Sequence, residues 1–78
     1  MIDVTEAVAL ARDNFLKLHE GEGVSDVRMA EAELDREEQN WLVTLAYSTD
    51  EVSGIAKHKV LSIDAETGKV RSVKVRTL

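Results

Sequence analysis

The side chains best suited to chemistry in this sequence are two histidines, either of which could serve as a base toward a hydroxyl nucleophile. His19 follows a predicted helix, whose dipole favours a cation at that end, so we expect a capping or surface role for it. His58 lies between two lysines on a predicted strand, where exposure to solvent is expected. Neither histidine stands at a fixed spacing from carboxylates, and the chain contains no cysteine. The sequence therefore predicts no catalytic residue, no metal ligand and no cofactor.

Acidic side chains could also do chemistry at two places. Glu31 and Glu33 share one face of a predicted strand and could pair as acid and base, although ordinary surface charges show the same pattern. Basic residues of the later strands could meet them across the sheet: Lys57, Lys59, Lys74 and Arg76. Asp35, Glu37 and Glu38 crowd a predicted loop, but their spacing does not match a calcium-binding EF-hand and the loop lacks its glycine. We therefore expect ordinary surface charges at both places.

The first element that positions these side chains is an amphipathic helix, predicted over roughly residues 4–20. Asp3 and Glu6 have the spacing of a capping box. Apolar residues recur at helical spacing along one side: Val4, Ala7, Val8, Leu10, Ala11, Phe15 and Leu18. Gly21 and Gly23 can adopt the positive φ that ends helices, and Glu22 between them would repel a phosphate. A helix C-cap is therefore expected there rather than a phosphate-binding loop.

The next two segments are predicted to be strands. Residues Val27 to Leu34 alternate without a cleanly apolar face, and a bulge within the strand would switch the faces. Trp41 to Ser48 is the most regular strand, since it is rich in β-branched and aromatic residues. Its larger side chains alternate on the face expected to lie against the helix: Trp41, Val43, Leu45 and Tyr47.

The last third of the chain is predicted to form a loop and a hairpin. Thr49 to Ala56 is predicted as a loop, because it contains Gly54 and several polar residues. Lys57 to Asp64 follows as a third strand, and Asp64 to Lys69 as a tight turn in which the carboxylate accepts backbone hydrogen bonds. Val70 to Arg76 is predicted to close the sheet, because strands joined by short connections usually pair as neighbours.

These elements predict one α+β domain over residues 1–78, with an N-terminal helix packed on a four-stranded antiparallel meander sheet. The apolar stripe from Val4 to Leu18 is expected to seal one face of the sheet and to leave no cavity for chemistry. A pocket between helix and sheet would need roughly 300 Å³. A chain of 78 residues is barely large enough to enclose one.

Charge is unevenly distributed along the chain, whose net charge is −5. Residues 1–53 carry 4 basic and 13 acidic residues, whereas residues 54–78 carry 6 basic and 2 acidic residues. The acidic total argues against nucleic-acid binding, which needs a basic field. No apolar run approaches the ~20 residues of a membrane span, and no signal peptide is recognised. We expect a cytoplasmic protein if Met1 is the native start, and an extracytoplasmic one if the chain is trimmed.

Two segments resemble the PepSY and PepSY-like domains: Trp41–Leu45, and Lys59–Val70 with its Asp-Ala-Glu-Thr-Gly-Lys-Val end. The acidic strand of that family has its counterpart in Ala30–Asp35. The resemblance implies a small cystatin-like α+β fold and a non-enzymatic role, such as inhibition or chaperoning by the propeptides of thermolysin-type proteases. It transfers no catalytic residue. PepSY domains are commonly extracytoplasmic, whereas no export signal is recognised in this sequence.

The sequence thus predicts a non-enzymatic protein-interaction module, for which the resemblance implies a peptidase-inhibitory or regulatory role. The expected partner is another protein, a peptidase being one candidate, bound through the sheet surface or a free edge strand. Candidate contact residues are Trp41, Tyr47, Leu42, Asp50 and Ile55. Two alternatives stay open: a small-ligand-binding domain, and a structural unit that forms homo-oligomers. The less polar sheet face, with Leu42 and Ala46, could bury against a second copy in a homodimer.

Overall fold

The chain folds into one helix and four strands. The structure, a computed structural model, describes residues 1–49 and 52–76 and leaves the side chains of residues 52–55 undescribed. The elements are α1 (Val4–Leu18), β1 (Val24–Asp35), β2 (Asn40–Thr49), β3 (Val52–Asp64) and β4 (Val70–Arg76). The strands form one antiparallel sheet in the order β1-β2-β3-β4. The predicted α+β arrangement, a helix packed on a four-stranded meander, is confirmed.

Local hydrogen bonds set both ends of α1. At its start, Asp3 Oδ1 accepts a hydrogen bond from the Glu6 backbone N–H at 2.8 Å, as the capping-box spacing predicts. At its end, the backbone N–H of the C-cap residue His19 donates to the Phe15 carbonyl at 3.0 Å. Gly21 follows with φ +81°, a left-handed conformation that reverses the chain toward β1. The helix therefore stops two residues before the predicted end.

The core lies between one side of α1 and the two central strands. Three helix residues, Ala7, Ala11 and Phe15, are fully buried. They pack on buried side chains of β2 and β3: Val43, Leu45, Tyr47, Leu61 and Ile63. Burying a side chain the size of Phe15 contributes roughly 1.5–3 kcal/mol, so this contact is the main attachment of helix to sheet. The apolar stripe predicted for the helix is the surface that docks it.

The edge strand β1 is irregular, as its mixed alternation indicated. Its register against β2 shifts between Ser25 and Arg28 and again between Met29 and Glu31. Asp26, at the first shift, has φ +53°. Beyond the second shift Ala32 pairs with Val43 of β2 and packs against the core. The bulge that was expected to switch the faces of this strand is therefore present, and a second irregularity accompanies it.

The loop predicted over Thr49–Ala56 is wrong, because β3 begins at Val52 and that residue pairs with Thr49 of β2. The next recorded pair is Tyr47 with Lys57, so the register shifts between the two pairs. The segment from Val52 onward is therefore strand with a shifted register rather than loop. Main-chain hydrogen bonds to β2 extend the strand where the side-chain pattern is not strand-like.

Candidate functional site

The aromatic residues predicted as partner contacts take part in packing. Trp41 is half-buried against the core, and its indole Nε1–H donates to the Ile2 carbonyl at 3.0 Å. Tyr47 is buried, with 6% of its surface exposed, and its ring lies 4.8 Å from that of Phe15. Of the two uses weighed for Trp41, core packing is the one that its surroundings favour. Neither ring lies on an open surface of the sheet.

Of the other predicted contact residues, only Leu42 has a described side chain. Leu42 is half-buried and lies on the opposite face of β2, since successive strand residues point to opposite sides. Asp50 lies outside the described residues. Ile55 lies within β3, and its side chain is outside the description. A role for these three residues in partner binding stays a prediction.

The sheet face opposite the helix carries an ion pair that spans the whole sheet. Arg76 of β4 donates through Nη1 to Thr44 Oγ1 of β2 at 2.9 Å, and the same nitrogen lies 3.5 Å from Glu31 Oε1 of β1. Thr44 and Ala46 beneath it are buried, with 3% and 2% of their surfaces exposed. Of the basic residues that could meet Glu31 across the sheet, Arg76 is the one that pairs with it.

A polar cleft of about 230 Å³ opens at the end of the sheet beyond the helix. Its lining includes His19, Glu22, Tyr47, Lys57 and Lys59, and we call it the His19 cleft. It exists because α1 ends at Leu18 while β2 and β3 continue past that point. The expectation that the helix leaves no cavity is therefore wrong at this end of the molecule.

His19 is the C-cap of α1, which confirms the capping role expected for it, and its side chain is mostly buried rather than on the surface. Only 12% of its side chain is exposed, and its ring lies 4.4 Å from the Phe15 ring. Its Nε2 is 3.0 Å from Lys59 Nζ, and its Nδ1 is 3.2 Å from Glu22 Oε2. A lysine ammonium can only donate, so Nε2 accepts and the ring proton lies on Nδ1, toward the carboxylate. The result is a line of polar contacts from Lys59 through His19 to Glu22.

Tyr47 supplies a hydroxyl group at the inner wall of the His19 cleft. Burial raises the pKa of Tyr47 above its ordinary value, and the nearby negative charge of Glu22 raises that pKa further. The hydroxyl therefore stays protonated at physiological pH and can donate a hydrogen bond. Sequence analysis missed this cluster because His19, Tyr47 and Lys59 are far apart along the chain. A signal existed only in the helix-end position of His19.

A second, larger depression runs between α1 and β4. It has a volume of about 410 Å³ and is lined by Asn14, Lys17, Leu18, Val70 and Val73, and we call it the α1–β4 groove. α1 packs mainly on β1, β2 and β3, so β4 is left uncovered beside the helix. Leu18 is consequently 58% exposed. The groove is open and apolar, and the expectation of no cavity is wrong here as well.

The strand beside this groove is an edge of the sheet. β4 pairs with β3 on one side and with no described strand on the other. Val75 pairs with Lys59, and Val73 with Leu61, so both valines lie on the side of the sheet that carries the helix. Val75 is 77% exposed. A row of apolar side chains thus continues along β4 beyond the end of α1.

The turn that leads into β4 is held by one carboxylate. Asp64 Oδ1 accepts hydrogen bonds from the backbone N–H groups of Glu66 at 2.8 Å and Thr67 at 3.0 Å. Asp64 Oδ2 accepts from Arg71, whose Nε lies 3.1 Å away. The backbone donors, followed by the arginine, lower the pKa of Asp64 to about 2. The predicted turn is confirmed, and it fixes where β4 starts relative to the helix.

Comparison of the chain with protein families, curated proteins and solved structures found no match. The helix α1, the one helix of the described residues, is not long and apolar enough to cross a membrane. Within residues 1–49 and 52–76, no group of three or more histidine or acidic side chains is arranged to hold a metal ion. The α1–β4 groove and the His19 cleft are therefore the candidate binding surfaces of the described residues.

Proposed function

We propose that this chain is a non-enzymatic, PepSY-like protein-interaction module that binds an extended segment of a partner along β4. The observation that carries the proposal is the α1–β4 groove of about 410 Å³, which lies directly beside an edge strand. An extended segment added to such an edge gains main-chain hydrogen bonds, and its alternate side chains enter the neighbouring groove. Affinity comes from the backbone and specificity from the groove.

The two edges of the sheet are not equivalent for this purpose. β1 has two register shifts and a residue with positive φ, and such irregularities blunt an edge against pairing. β4 has seven residues, and its pairing with β3 is interrupted once, between Ser62 and Ile63 of β3. The groove lies on the β4 side. The partner strand is therefore assigned to β4.

The charge of this region defines the chemistry of the partner segment. β4 carries three basic residues and no acidic one, but Arg71 is paired with Asp64 and Arg76 with Glu31. The remaining positive charges are those of Lys74, on the face opposite the helix, and of Lys17, which lines the groove. Neither Lys17 nor Lys74 forms an ion pair with a described residue. An extended segment with alternating apolar residues and flanking acidic residues is complementary to this surface. A peptidase segment of this kind is the partner that the PepSY resemblance favours.

Selection of linear peptides from a random display library against the folded chain tests this proposal. We expect enrichment of peptides that alternate β-branched or aromatic residues with polar ones and that carry aspartate or glutamate at their ends. The variant Leu18→Glu places a charge in the groove and should weaken binding of the selected peptides at least tenfold, as measured by isothermal titration calorimetry.

Leu16→Glu provides the matched control, because Leu16 is also an exposed leucine of α1, at 43%, but does not line the groove. Its affinity for the selected peptides should stay within about twofold of the parent. A selection that enriches no peptide, or an equal loss of affinity in both variants, contradicts the assignment of binding to this groove.

A further inference from the structure

We infer that the His19 cleft is a binding site for a small oxyanion, that is, a phosphate or carboxylate group. The cleft is separate from the α1–β4 groove and shares no lining residue with it, so the inference does not depend on the proposed peptide binding. Its volume of about 230 Å³ accommodates a group of that size. Four side chains that can donate hydrogen bonds line it: Lys57, Lys59, Tyr47 and Thr49.

Positive charge is concentrated in the cleft. Lys57 and Lys59 both line it, and they stand two residues apart on β3, so their side chains lie on the same side of the sheet. Among the described residues that line the cleft, Glu22 is the one acidic residue, and its carboxylate oxygen Oε2 lies 3.2 Å from His19 Nδ1. With two lysines and one glutamate, the described lining residues carry a net positive charge.

Neutral donors complete the set. The Tyr47 hydroxyl is kept protonated by burial, so it can donate to an anion but does not repel it. Thr49 also lines the cleft, and its Oγ1 is buried with no hydrogen-bond partner among the described residues. A buried hydroxyl without a partner costs roughly 1–3 kcal/mol and is uncommon in folded proteins. Because this oxygen has almost no accessible surface, it donates to a bound anion once the Thr49 side chain turns toward the cleft.

His19 positions the second lysine. Its Nε2 accepts from Lys59 Nζ at 3.0 Å, which occupies one of the three ammonium protons and leaves two for a ligand. The ring itself is held between Phe15 and Tyr47, with centroids 4.4 Å and 6.1 Å away. The flexible lysine is thus fixed over the cleft before a ligand arrives, which reduces the entropy lost on binding.

Titration of the folded chain with inorganic phosphate, followed in ¹H–¹⁵N correlation spectra at constant ionic strength, tests the site. We expect saturable shifts of the backbone amides of Thr49, Lys57 and Lys59. A parallel titration with acetate separates the two sources of the oxyanion. Saturation with phosphate alone identifies a phosphate ligand, and saturation with acetate identifies a carboxylate.

Two variants and one control decide whether the cleft is responsible. Lys57→Gln should raise the phosphate Kd roughly tenfold, and Thr49→Val should raise it roughly threefold. Lys74→Gln removes the same charge from the opposite face of the sheet and should leave the Kd within about twofold. Shifts that stay linear with both anions overturn the inference. Equal weakening by Lys57→Gln and Lys74→Gln also overturns it, because the binding would then reflect diffuse charge.

Discussion

Asp64 organises the turn between β3 and β4 through a single side chain. Its carboxylate accepts two backbone N–H groups and the Arg71 guanidinium, and only 14% of the side chain is exposed. Each of these donors favours the ionised form, so the pKa of Asp64 lies at about 2, below its ordinary value. The start of β4, and with it one wall of the α1–β4 groove, depends on this ionised group.

Asp64→Asn should lower the free energy of unfolding at neutral pH, because the amide cannot accept from all three donors. The folded pKa of about 2 is depressed, so the stabilisation by Asp64 is present above the unfolded pKa of ~3.9. It is lost as pH falls toward 2. Urea denaturation at several pH values should therefore show less acid sensitivity in the variant than in the parent.

Glu37→Gln is the control for Asp64, because Glu37 lies in the exposed turn between β1 and β2. Its acid sensitivity should match that of the parent. An Asp64→Asn variant with an unchanged pH profile would show that the carboxylate does not hold the turn.

The sequence predicts hydrogen bonds between residues that are close along the chain, but not contacts between residues that are far apart along it. Asp3 and Asp64 were predicted to accept hydrogen bonds from backbone groups a few residues ahead, and both do so. The contact between His19 and Lys59 joins residues 40 positions apart, and no spacing rule indicates it. The alternation of residues along β2 likewise predicts that Tyr47 faces the core, but it does not predict that a histidine lies beside it.

The length and placement of α1 create both depressions in the surface. The helix has 15 residues and packs mainly on β1, β2 and β3, so it covers neither β4 nor the far end of β2 and β3. Its periodicity predicted the buried positions Ala7, Ala11 and Phe15 correctly, but Val4 and Leu18, which end the predicted stripe, are exposed. The periodicity of a helix gives its buried face but not the number of strands that the helix covers, so the groove and the cleft could not be predicted.

The strands show where side-chain patterns are insufficient. The alternation of residues 41–48 predicted β2, and the chain bears it out with buried Val43 and Leu45. The loop prediction for Thr49–Ala56 failed because glycine and polar residues there follow no strand pattern. A hairpin is extended by backbone pairing, which depends on the partner strand rather than on side-chain alternation.

The contact of the β3–β4 turn with α1 can be tested at Gly68. This residue has φ +78°, and a Cβ built on it would lie 3.0 Å from Leu10 Cδ1 of the helix. Gly68→Ala should therefore cost about 2 kcal/mol of stability, from backbone strain together with the displaced leucine. Thermal denaturation at neutral pH measures this cost.

Gly21→Ala separates the two contributions, since Gly21 has nearly the same φ of +81° but nothing within 4 Å of a built Cβ. Strain alone should cost about 1 kcal/mol there. Equal destabilisation of the two variants would show that the close contact between the turn and the helix does not contribute to the cost of the Gly68 substitution.

Across the whole molecule, charge is polarised between the two edges of the sheet. β1 carries four acidic residues and one basic residue, whereas β4 carries three basic residues and no acidic one. The Glu31–Arg76 pair joins these edges over the face opposite the helix. Two copies paired symmetrically through β4 would place like charges together, which disfavours that form of homodimer. An acidic segment from another protein meets no such repulsion.

Amide hydrogen exchange can show whether an extended partner segment adds to β4. The exchange of every backbone amide is measured with and without a peptide from the display selection. We expect slower exchange at alternate β4 residues, those whose N–H groups point away from β3, with β1 unchanged. Protection confined to β1, or to the sheet face that carries Thr44 and Ala46, would contradict it.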